Sequence, residues 1–189
     1  MINTNDFKTG QTIKSNNQIY QILDFLHVKP GKGAAFVRTK LRNLRTGSVI
    51  DYTFNAGIKL EPVLINKVKM QFLYAFEEKY VFIDTQNYEQ LEIDKEQVQK
   101  YLQYLYEGLF VEIIFCENNE ILGISLPNKI SLKVTYTEPG VKGDTKTNSL
   151  KDATLETGLM VKVPLFINIG ENIIVNTETG LYLSRDNGK

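Results

Sequence analysis

The chain is poor in the residues that build metal centres. It has one histidine, His27, and one cysteine, Cys116. Zinc and iron–sulfur sites draw on several such ligands, so no metal site is expected. A lone cysteine forms no internal disulfide, and Cys116 sits in the apolar run VEIIFC, which predicts a cytoplasmic location. No apolar run reaches the 18 residues of a membrane span, and the opening MINTNDFKTG is polar, so neither a span nor a signal peptide is expected. His27, near the end of an apolar strand, reads as a packed or surface residue.

A second scarcity is local. Between Val28 and Ile50 there is no acidic residue, while Lys29, Lys32, Arg38, Lys40, Arg42 and Arg45 all fall there. The overall balance of 22 basic and 22 acidic residues conceals this. Cut near Val63 and Pro127, the chain carries +5 over residues 1–63, −6 over 64–127 and +1 over 128–189. Such polarity points to a polyanionic partner for the first third alone.

What is present is strand pattern. Short β-rich runs such as QIYQILDFLHV, AAFVRTKLRNL and SVIDYTFN alternate with polar turns, SNN, KPGKG and RTGS. Two later blocks repeat the arrangement, with hairpin turns predicted at Asn118-Asn119 and Thr179-Gly180. Three blocks of roughly sixty residues predict an all-β chain of three small β-barrels, over 1–63, 64–127 and 128–189. One short helix is expected in the middle barrel. Asp94 is its N-cap and Gln97 completes a capping box, with Val98, Tyr101, Leu102, Leu105 and Leu109 at helical spacing and Gly108 as the stop. An OB-fold carries its helix between the third and fourth strands, as here. The acidic surroundings suit a structural role better than a grip on phosphate.

In FVRTKLRN, the period of two places Val37, Thr39 and Leu41 on one face and Arg38, Lys40 and Arg42 on the other. The stretch KPGKGAA precedes it. Pro30-Gly31 predicts a type II turn with positive φ at Gly31, projecting Lys32 between Gly31 and Gly33. The basic face reads either as a solvated edge strand protected by charge or as an RNA-binding surface, and the exposed cation beyond the hairpin favours the second. A phosphate loop of the Walker type is excluded, because no Ser or Thr follows Lys32 and a strand, not a helix, comes next. The acids Glu77-Glu78 and Glu92, Asp94 and Glu96 read as solvated groups at turns and a helix start.

Together these segments resemble the bacterial translation elongation factor P family. HVKPGKGAAFVRTKLRNLRTG is similar to its first-domain hairpin, TEPGVKGDT to its third-domain loop, and KDATLETGLMVKVPLFINIG to its signature, including Lys151, Ala153, Gly158, Val163, Pro164 and Gly170. The loop KTNSLKDAT departs from the pattern: it lacks the frequent glycines, and Asp152 stands where proline is common. The resemblance implies an L-shaped protein with an SH3-like, KOW-like first barrel followed by two OB-fold barrels. It implies a monomeric, non-enzymatic factor without cofactor that binds the 70S ribosome between the P and E sites and relieves stalling at consecutive prolines. Its implied partners are the P-site peptidyl-tRNA, rRNA, the mRNA E-site codon and a lysine-modifying enzyme, with no membrane. By the same resemblance Lys32 is the modified tip at the tRNA acceptor end, supported by Pro30, Gly31 and Gly33. Lys29, Arg38, Lys40 and Arg42 become RNA phosphate contacts, Gly143, Asp144 and Thr145 the E-site codon loop, and Tyr182 and Arg185 RNA contacts of the last barrel. The competing reading is a general OB-fold protein acting on free RNA; against it, most aromatics alternate with apolar residues or lie in the acidic block, where core packing explains them. A lysine-nucleophile enzyme would need Lys32 desolvated, which a glycine-flanked tip disfavours.

Overall fold

The computed structural model describes residues 1–140 and 149–188. The first sheet is built from β1 (Ile2–Asn3), β2 (Thr12–Ser15), β3 (Gln18–Val28), β4 (Phe36–Asn43), β5 (Val49–Asn55) and β6 (Lys59–Pro62), in the order β1-β6-β2-β3-β4-β5. Its pairs are antiparallel. β4 shows why these residues make a strand. Val37, Thr39, Leu41 and Asn43 are buried while Arg38, Lys40 and Arg42 are exposed, so one face fills the barrel. Val37 and Leu41 join Phe7, Ile13, Ile22 and Phe54 in the core, where each large apolar side chain contributes about 1.5–3 kcal/mol by leaving water. The buried Thr39 hydroxyl donates to the Tyr52 carbonyl at 2.7 Å, so its burial leaves no polar group unmet.

The middle sheet contains β7 (Ile65–Phe76), β8 (Lys79–Asp84), β9 (Gln90–Asp94), β10 (Phe110–Cys116) and β11 (Ile121–Ser125), ordered β11-β10-β7-β8-β9. The one α-helix among the described residues, α1 (Lys95–Val98), lies between its third and fourth strands as expected, but it is a single turn. A 3-10 turn over Gln99–Tyr101 replaces the longer helix that the apolar spacing predicts. The capping box does not form either. Asp94 occupies the N-cap position with no side-chain capping bond, because its carboxylate pairs with Lys79 at 2.6 Å. Val98, Leu105 and Leu109 are still buried, so irregular backbone delivers them to the core. Gly108 takes a positive φ of 90° and donates its N–H to the Phe72 carbonyl at 2.7 Å, joining the segment to β7 instead of ending a helix.

The third sheet contains β12 (Lys129–Thr137), β13 (Leu150–Leu155), β14 (Met160–Pro164), β15 (Asn172–Asn176) and β16 (Tyr182–Arg185), ordered β14-β13-β12-β15-β16. Its edge strands β14 and β16 approach each other, curling the sheet toward closure. Both predicted hairpin turns form. Asn119 has φ 60°, and the Gly180 N–H donates to the Asn176 carbonyl at 2.8 Å. The chain is thus all-β, built on three small barrel-like sheets, with one short α-helix among the described residues.

By packing, the described chain divides into two compact units. One comprises Met1–Val68 with Ile113–Gly123; the other comprises Lys69–Glu112 with Ile124–Lys189. Within the first, Ile19, Leu44, Ile114, Cys116 and Leu122 form a second buried cluster. The Arg45 guanidinium meets Glu120 at 2.6 Å beside it. The middle of the chain therefore shares its packing between both units.

Candidate nucleic-acid interface

β3 and β4 are long, well-paired strands joined by residues 29–35, and Lys32 sits at the centre of that connection. Lys29, Gly31, Lys32 and Gly33 are exposed, and Pro30 is half-buried. Among the described residues neither Lys29 nor Lys32 has an ion-pair partner. The backbone differs from the expected type II turn. Residues 31–33 form a bend in which Gly33, not Gly31, has positive φ, at 111°. The second glycine therefore makes the reversal, while Gly31 keeps a conformation open to other residues. A Cβ at Gly33 would lie 3.8 Å from the Pro30 ring, an ordinary contact, so its conformation and not its space favours glycine.

Behind the tip, Arg38, Lys40 and Arg42 occupy the exposed face of β4, as the alternation predicts. The Arg38 guanidinium lies 5.7 Å from the Phe36 ring centroid, which steadies it on that face. Register adds two residues that sequence reasoning missed. Lys40 stands opposite Asp24 on β3 and Asp51 on β5. The charge count did not find them, since both lie outside the acid-free interval. Arg45, the last cation of the interval, is engaged by Glu120.

Of the predicted sites of the last barrel, Tyr182 and Arg185 fall among the described residues. Gly143, Asp144 and Thr145 lie outside the described residues. Tyr182 is half-buried at the start of β16, paired with Val175. Arg185, at the end of β16, donates to the Phe166 carbonyl at 2.8 Å and pairs with Glu171 at 3.1 Å. Beside it, hydrogen bonds from the Ser131 hydroxyl and the Gly188 N–H hold Asp186 below the usual carboxylate range. In the second unit, burial pushes the Tyr106 hydroxyl up, and the charges of Glu156 and Asp186 add to the effect. Among the described residues no group of three metal-ligating side chains converges.

Comparison with known proteins accounts for nearly the whole length. Residues 3–60 match the elongation factor P (EF-P) KOW-like domain, 65–124 the elongation factor P (EF-P) OB domain, and 130–185 the elongation factor P C-terminal domain. Elongation factor P of Onion yellows phytoplasma (strain OY-M) is 81% identical over 189 residues, covering 100% of both chains. The chain belongs to the elongation factor P family. It is accordingly a translation elongation factor. Elongation factor P of Phytoplasma australiense is 82% identical over the same 189 residues, again 100% of both chains. Among solved structures, eukaryotic translation initiation factor 5A from Methanococcus jannaschii is 25% identical with a TM-score of 0.47, covering 65% of this chain and 92% of that one.

Proposed function

We propose that this elongation factor binds the ribosome between the P and E sites and promotes peptide-bond formation where successive prolines stall synthesis. The observation that carries the reading is the β3–β4 hairpin, which ends in exposed Lys32 and displays Arg38, Lys40 and Arg42 on its outer face. Arg38, Arg42 and Lys29 turn toward RNA, and Lys32, the residue modified by a partner enzyme, reaches the acceptor end of the P-site tRNA. Pro30 and Gly33 shape the bend that carries it. In this reading the KOW-like barrel (1–63), acidic barrel (64–127) and C-terminal barrel (128–189) act as one monomeric cytoplasmic factor. The Gly143-Asp144-Thr145 segment faces the E-site codon.

The chemistry belongs to the ribosome. Proline constrains the reacting ends, and an arm that holds the tRNA terminus in a reactive pose lowers the barrier through orientation alone. No acid, base or nucleophile from the factor is required, so it acts without being an enzyme. The test is reconstituted translation of a message encoding consecutive prolines, with and without the protein. Faster synthesis across the prolines, and no effect on a proline-free message, is the expected result; equal rates with and without the protein would refute the reading.

A further inference from the structure

The three cations of β4 do not have equivalent neighbours. Lys40 stands between Asp24 and Asp51, whereas Arg38 stands between Leu26 and Thr53, and Arg42 between Gln21 and Val49. Directly opposed residues in antiparallel strands project from the same side of the sheet, so each triplet forms a row across the outer face. Asp24, Lys40 and Asp51 are all exposed, and with Arg38 they line an open groove of about 520 Å³. The central row carries two negative charges for one positive, and each outer row carries one uncompensated guanidinium.

Resting on the reading of this face as RNA-facing, we infer that Asp24 and Asp51 divide it into two separate phosphate grips, at Arg38 and at Arg42, and keep phosphate off Lys40. A phosphate brought to the central row meets one ammonium and two carboxylates, and repulsion prevails at comparable distances. At the outer rows a guanidinium whose directly opposed neighbours are neutral takes phosphate oxygens through paired N–H donors. The two arginines are four residues apart on an extended strand, about 13 Å. An RNA backbone is therefore accepted only when its phosphates straddle the central row. One shifted onto that row is penalised, so the two aspartates set the register of binding by rejecting the wrong one.

The experiment measures ribosome binding by the full chain against salt concentration. The variants are Arg38→Gln, Arg42→Gln, Lys40→Gln and the double variant Asp24→Asn/Asp51→Asn, with melting curves to verify folding. Asp24→Asn retains the oxygen that accepts the Phe25 N–H at 2.9 Å in the parent. Each arginine variant is expected to lower the log–log salt slope by about 0.7–0.9, as one phosphate is released. Lys40→Gln keeps the parent slope, and the double aspartate variant raises it by about 0.7–0.9 as Lys40 becomes available. A Lys40→Gln slope lowered as far as that of either arginine variant, with no rise for the double variant, overturns the division while leaving an RNA-binding face. Unchanged slopes and affinities for all four variants overturn the RNA-facing reading itself, and the division with it.

Discussion

The Arg185 guanidinium lies 4.6 Å from the centroid of the Phe166 ring and donates to the backbone carbonyl of the same residue at 2.8 Å. With Glu171 at 3.1 Å, these contacts fasten the last strand to the loop after β14. A surface ion pair alone contributes little, but the ring contact and a charged hydrogen bond add to it. Arg185→Gln is expected to lower stability by about 1–2 kcal/mol in urea denaturation. The salt slope of ribosome binding should not change. Unaltered stability with a lowered slope would instead make Arg185 an RNA contact.

The two glycines around Lys32 have different tasks. Gly33 holds φ 111°, and Gly31 is outside the left-handed region with nothing within 4 Å of its Cβ position. Gly31→Ala should therefore leave both folding and activity near the parent. Gly33→Ala forces strain of about 1–3 kcal/mol or a reshaped tip. In proline-stalled synthesis its activity should fall while the core remains folded. Equal activity of the two variants would show that the bend tolerates either conformation.

Much of this fold is legible because strand patterning is a local signal. Arg38, Lys40 and Arg42 fell on one face by period alone, and the turns at Asn119 and Gly180 followed from their residues. What escaped depends on partners distant in sequence. Asp94 was a sound N-cap by sequence, but Lys79, across the β8–β9 pair, took its carboxylate. The compensation of Lys40 required the register of two hairpins, one of them shifted by an irregularity between Ile22 and Asp24. Positive φ falls on Gly33 and not on Gly31, because glycines flank Lys32 on both sides and residue type alone does not say which of them makes the reversal. The contacts of Arg185 with Phe166 and Glu171 likewise join residues that the sequence keeps apart.

Charge reversal tests the basic face as a whole. Replacing Arg38, Lys40 and Arg42 by glutamate should weaken ribosome binding and flatten its salt dependence. Each phosphate that the face no longer neutralises accounts for roughly 0.7–0.9 of the log–log slope. All three side chains are exposed, so the fold should survive, but Lys40→Glu sets a third carboxylate between Asp24 and Asp51 and should lower the melting temperature. Parent-like affinity and slope would reduce the face to a solvated edge.

The acidic middle of the chain should keep away from RNA. Residues 64–127 carry −6, and Glu77, Glu78, Glu89 and Glu92 are exposed. Phosphate is repelled there, so this region should face solvent or a basic ribosomal protein. Site-specific crosslinkers placed between residues 70 and 125 should recover protein or nothing. Recovery of chiefly rRNA would reverse the assignment.

Lys32 separates binding from acceleration. Lys32→Ala should shift stability by less than about 0.5 kcal/mol, since an exposed side chain without a partner holds nothing in place. Ribosome affinity should largely persist, because the face of β4 and the rest of the chain are untouched. What should disappear is the rate gain across consecutive prolines in reconstituted translation. Lys32→Arg discriminates further: it keeps the charge, but a planar guanidinium is bulkier and is no substrate for a lysine-modifying enzyme. It should fail like the alanine variant. If charge alone at the tip were sufficient, arginine would restore the rate and alanine would not. Full activity of both variants would show that the β3–β4 tip takes no part in the acceleration, and the orientation mechanism would have to be abandoned.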